Sequence, residues 1–165
     1  MKKMLICLLA AMLCLSVCAV SLAESAQYYT TQEFLDYLDQ KGVTYTLEGI
    51  DNAGYEVVKV TNKGDAFTYD IKYFFDDGME NTGIRVWDVI EYSDADFAKV
   101  LRACNTLNSS YRYAKFVADE SDNTVTCSMD LMYRANDIAE IHWEATLRIV
   151  DILDNGYESL SIYNK

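Results

Sequence analysis

Apolar and polar side chains alternate most strictly over positions 66–75. There Phe67, Tyr69, Ile71, Tyr73 and Phe75 fall on one face, opposed by Thr68, Asp70, Lys72 and Phe74. A period of two belongs to an extended strand with one face turned into a core. Two further strands are expected before it, at 43–49 and 54–61, rich in Val, Tyr, Thr and Leu on either side of the turn Asp51-Asn52-Ala53-Gly54. A second turn, Asn62-Lys63-Gly64-Asp65, leads into the alternating segment. A fourth strand is expected over 84–90, where Trp87 and Val89 are apolar on the face opposite Val86 and Ile90. The simpler reading of that strand is a central one covered on both faces; the other places helices on one side and a ligand or partner on the other.

The remaining pattern has the helical period. Thr30-Thr31-Gln32-Glu33 offers an N-cap before Phe34, Leu35 and Leu38, with Tyr37 at the edge of the stripe and a stop at Lys41-Gly42. Ser93-Asp94-Ala95-Asp96 opens a second helix whose buried stripe is expected to be Phe97, Val100, Leu101, Cys104 and Leu107, with Asn108, Ser109 and Ser110 marking its exit. Two strands follow around Glu120-Ser121-Asp122-Asn123, the second over 124–133 with Val125, Cys127, Met129 and Leu131 on one face. Asn136-Asp137, with Glu140 three residues on from Asp137, starts a third helix along Ile138, Ile141, His142, Ala145, Ile149, Ile152 and Leu153. Trp143, Leu147 and Val150 form an apolar shoulder, and Asn155-Gly156 is the expected stop, with 157–165 packing locally. The order α-β-β-β-β-α-β-β-α predicts an α+β fold in which three helices pack on an antiparallel sheet. No linker or repeat divides it.

The chain opens with Met1-Lys2-Lys3, then runs almost without charge to Ser21-Leu22-Ala23. A basic start, an apolar stretch and small residues at its exit fit a secretory signal peptide, residues 1–23, with cleavage after Ala23 and Ala26 as the next choice. The alternative is an uncleaved membrane anchor. Leu15-Ser16-Val17-Cys18 resembles a lipidation site, but Val17 stands where a small residue belongs. The mature chain, 24–165, suits one domain. The whole sequence has a formal charge of −12, and loss of Lys2 and Lys3 makes it −14. Such a chain is repelled by phosphate backbones and anionic membranes, so nucleic acid is an unfavourable partner. Of five cysteines only Cys104 and Cys127 outlast cleavage. Two readings are open for them: a disulfide, which would stabilise by about 3 kcal/mol in a chain-entropy account, or two thiols buried on a common core.

The stretches GIRVWDVI, FAKVLRACNTLNSSYRYAKFVAD, NTVTCSMDLMY and IAEIHWEATLRIVDIL, taken in order over 83–153, carry a family resemblance that is most visible from Ile84 to Leu153. Together with the order of elements they resemble the YbjN-like family of proposed bacterial sensory-transduction regulators, whose α+β architecture is similar to that of class I type III secretion chaperones. The resemblance implies a scaffold with a surface for a protein or peptide and a homodimer. It implies no catalytic residue.

The residues capable of chemistry point the same way. His142 is the single histidine, on the apolar side of a helix between Glu140 and Glu144, without the spacing of a zinc protease. Asp76-Asp77-Gly78 is turn composition rather than a calcium loop. A Cys-His pair would need Cys104 or Cys127 to be reactive beside His142, against their core-like placement. The aromatics Tyr69, Tyr73, Trp87 and Tyr92 could form a recognition patch, although core packing explains them more simply. The reading is therefore an exported protein- or peptide-binding accessory domain, secreted or held at the envelope. It is read as neither an enzyme nor a user of a cofactor or metal, and as not stably inserted in a membrane after cleavage. The alternative is a structural or stress-related envelope protein without a client; a hydrolase or metal enzyme ranks third.

Overall fold

The computed structural model describes residues 25–78, 80–134 and 137–165; the expected leader, with Cys7, Cys14 and Cys18, and the expected cap Asn136 lie outside the described residues. The elements are α1 (Tyr29–Lys41), β1 (Thr46–Ile50), β2 (Glu56–Lys63), β3 (Thr68–Phe75), β4 (Asn81–Val86), a 3-10 turn (Asp94–Asp96) leading into α2 (Phe97–Ser110), β5 (Lys115–Asp119), β6 (Thr124–Met132) and α3 (Ile138–Ser161). The six strands form one sheet in the order β1-β2-β3-β4-β6-β5, antiparallel throughout. The expected α+β order is the observed one.

The alternation of β3 decides which face is inner. Tyr69, Ile71, Tyr73 and Phe75 are buried, and their cross-strand partners Val60, Val58 and Ile84 are buried with them. All three helices pack on this face. Phe34 of α1 lies 4.8 Å from the Tyr73 ring and 5.4 Å from the His142 ring of α3, and α2 contributes Val100, Cys104 and Leu107 to the same core.

Four local expectations are corrected by tertiary packing. Helix α1 starts at Tyr29, without a side-chain cap from Thr30 or Thr31, both of which are buried in its first turn. The buried carboxylate of Glu56 in β2 takes the capping role, accepting from the amides of Gln27 (2.7 Å) and Tyr28 (2.9 Å) at the positive end of the helix. Strand β4 ends at Val86 rather than at Ile90, because Asp88 adopts a left-handed conformation (φ 53°), which breaks the alternation and turns both Val89 and Ile90 inward. Leu101, expected on the buried stripe of α2, is exposed.

The fourth correction concerns Gly156, which does not stop α3. The helix continues to Ser161 and buries Leu160. Glycine inside a helix costs about 1 kcal/mol relative to alanine, and here the reason for it is close approach: a Cβ would sit 3.2 Å from Phe116 Cζ and 3.5 Å from Leu107 Cδ2. Gly156 thus lets α3 settle onto β5 and α2. A Gly156→Val substitution should lower the free energy of unfolding by about 1–3 kcal/mol through overpacking. Urea denaturation measures it, and an unchanged midpoint would show that Phe116 and Leu107 can yield.

Candidate functional site

Among the described residues, no helix covers the outer face of the sheet. Its central cross-strand row runs Gly49, Val57, Phe74, Gly83 and Asp130 through β1, β2, β3, β4 and β6. Phe74 is the one apolar side chain on the polar side of β3, and it meets Tyr55 edge-on at 6.3 Å and Trp87 edge-on at 5.6 Å. Val57, its cross-strand partner, is only 5% exposed although it points away from the main core. Tyr55 and Trp87 are 41% and 45% exposed. These rings wall a groove of about 560 Å³, whose other lining includes Asp51, Asp76, Gly83, Arg85 and Asp130.

Gly83 shapes the floor. A Cβ there would come within 3.4 Å of both Arg85 Nη1 and Nη2, so its absence lets the guanidinium lie across the strand. Arg85 donates from Nη1 to the carbonyls of Ile84 (2.9 Å) and Met129 (3.0 Å), and from Nη2 to Asp130 Oδ1 (2.8 Å). The neighbouring row places Lys59, Lys72 and Arg85 side by side in β2, β3 and β4. Like charges in register repel. The β-bulge at 47–49 sets Glu48 against this row, where it binds Lys72 at 2.6 Å and lies 3.9 Å from Lys59, itself 3.6 Å from Asp70. Exposed pairs of this kind add at most about 1 kcal/mol each, so their main effect is to hold the long side chains down and leave the aromatic rings standing clear.

Most residues singled out for chemistry are elsewhere. Tyr69, Tyr73 and Tyr92 are buried on the inner side, where burial pushes the Tyr69 hydroxyl up to about 12. Only Trp87 of the four suspected aromatics reaches the open face, which corrects the expectation that it is covered. Cys104 and Cys127 are free and buried, and burial pushes the thiols up to about 11 and about 12. Glu140 and Glu144 are exposed on α3, and Asp76 sits on the groove wall. Among the described residues, no group of three or more His, Cys, Asp or Glu side chains is placed to hold a metal, and no helix is long and apolar enough to cross a membrane. Sequence reasoning missed Tyr55, Val57 and Arg85 as neighbours of Trp87. The signal available was Phe74, an aromatic interrupting the polar face of an otherwise strict strand.

No family model matches the sequence, and no curated protein matches it. Among solved structures, the crystal structure of YbjN from E. coli, described as a candidate transcription regulator, matches with a TM-score of 0.50 and 14% identity, over 73% of this chain and 86% of that one. At this identity the likeness is one of fold, and at that level it agrees with the resemblance read from the sequence.

His142 is fully buried among Phe34, Phe75 and Tyr133. Its Nδ1 faces the Ile138 carbonyl and can only donate there, so in the neutral ring Nε2 accepts from Thr82 Oγ1 at 2.8 Å. Burial pushes its pKa from 6.5 down to about 4. The folded protein therefore holds the neutral ring while the unfolded chain takes up a proton. The stabilisation is complete above pH 6.5 and is lost as pH falls from 6.5 through about 4. A shift of this size corresponds to about 3 kcal/mol. The His142→Gln variant should be less stable than the parent at pH 7, and the gap should narrow by about that amount by pH 4, as read by urea unfolding at each pH. A gap independent of pH would contradict this account.

Proposed function

We propose that this chain is an exported, non-catalytic accessory domain that binds a protein or peptide on the open face of its sheet. The observation carrying this reading is the contiguous aromatic surface of Tyr55, Phe74 and Trp87 around a groove, beside Arg85. Scattered apolar residues are ordinary on a surface, but clustered rings walling a concavity mark an interaction site. Trp, Tyr and Arg are the residue types that most often dominate binding energy at interfaces. The fold likeness to YbjN supports a scaffold role, and the signal peptide expected over 1–23 supports a place outside the cytoplasm. The apolar shoulder of α3, made of the exposed Leu147 and the half-buried Trp143 and Val150, is the separate surface on which the expected homodimer would form.

The groups a Cys-His mechanism would need are engaged in packing. His142 is hydrogen-bonded at both ring nitrogens inside the core, and the two thiols are buried and held protonated. This weighs against the hydrolase reading on positive grounds.

A photo-crosslinking residue placed at Ala53, exposed on the groove wall, should yield in the native host a discrete adduct with an envelope or extracellular protein, one that the same residue at Leu101 does not form. Adding Tyr55→Ser should weaken that adduct, while the purified variant keeps its stability within about 1 kcal/mol because the ring is surface-exposed. Equal labelling from both positions, or none from 53, would remove the outer face as the binding surface and favour an envelope protein without a client.

A further inference from the structure

The groove has a charge preference. We propose that its occupant is a peptide segment that inserts a lysine or arginine side chain among Tyr55, Phe74 and Trp87; this rests on the binding reading above and specifies its ligand. The lining sets three carboxylates, Asp51, Asp76 and Asp130, against the single guanidinium of Arg85. That guanidinium is already committed to two carbonyls and to Asp130. Asp51 uses Oδ1 to cap its own turn through the amides of Ala53 and Tyr55, and among the described residues no donor reaches the buried Oδ1 of Asp76. Beyond Arg85 and the polar edges of the Tyr55 and Trp87 rings, the side-chain donors of the lining are the Asn81 amide and the Thr82 hydroxyl, the latter engaged with His142.

The rings complete the argument. Elsewhere on the protein, aromatic faces near a cation have been taken by one: Lys41 Nζ lies over Tyr37 at 5.0 Å and Trp143 at 5.9 Å, and Arg148 lies over Tyr113 at 4.6 Å. Among the described residues no lysine or arginine is so placed over Tyr55, Phe74 or Trp87. Aromatic faces beside carboxylates are the environment that recognises ammonium and guanidinium groups. An acidic peptide would meet two carboxylates, Asp51 and Asp76, that no cation among the described residues offsets, and a purely apolar one would seal the Asp76 Oδ1 away from any donor. The net charge of −12 adds a long-range attraction for basic segments.

The test is selection of a display library of random ten-residue peptides on the purified protein and, in parallel, on its Trp87→Ala variant, with the thermal midpoint of each recorded to confirm folding. The parent should enrich peptides with lysine or arginine at a recurring position, and the variant should not. For the best peptide, changing that residue to glutamine should weaken binding about tenfold, as followed by tryptophan emission, the size expected for a cation between aromatic rings. The Asp76→Asn variant should reduce this preference, as should raising the salt. Enrichment that depends on Trp87 but shows no basic residue would overturn the inference and leave the binding surface standing. Absence of any Trp87-dependent peptide would overturn both.

Discussion

Helix α3 is fixed to the sheet by a chain of buried hydrogen bonds, and the rest of the architecture follows from where that chain places it. Thr146 Oγ1 donates to the His142 carbonyl at 2.7 Å, so the Tyr73 hydroxyl, also 2.7 Å from Thr146 Oγ1, must be the donor to it. The His142 ring then bridges the Ile138 carbonyl and Thr82. Apolar packing alone is non-directional and would tolerate sliding of a helix along a sheet. These bonds tie α3 to β3 and β4 at one register, because any shift leaves buried polar groups without partners. With α3 so placed, Phe34 of α1 closes against Tyr73 and His142, and Gly156 meets Phe116.

One consequence concerns the outer face. The three helices of the described residues are all used on the inner side, and an antiparallel sheet can leave its other face to water. That face is held in order by means that do not need a core. The bulge in β1 brings Glu48 to the lysine row, Gly83 makes room for the Arg85 guanidinium, and the left-handed Asp88 ends β4 so that Trp87 stands beside Phe74 instead of continuing the strand. Each is a local backbone departure, and together they build a groove with aromatic walls and an acidic lining.

Periodicity was enough for the scaffold. The alternation through Tyr69, Ile71, Tyr73 and Phe75 and the helical stripe through His142, Ala145, Ile149 and Leu153 settled element type, order and inner face, because burial of one side of each element imposes its own period on the sequence. It also placed His142 on the core side of its helix, where the ring is buried. The ends of elements were less legible. Glu56 caps α1 from 28 residues away from Tyr28, and Gly156 reads as a helix stop until its contact with Phe116 is known. In both cases the deciding neighbour is distant in sequence.

The groove on the outer face lies further still from what the sequence expresses. Tyr55, Phe74, Trp87 and Asp130 come from four separate parts of the chain and share no motif; only the cross-strand register brings them together. The amino-acid sequence by itself determined an acidic α+β domain with a fully packed inner face, since hydrophobic burial is periodic along the chain. Tertiary structure alone decided which residues share the outer surface, because that depends on strand pairing, and pairing is a relation between segments that no single segment encodes.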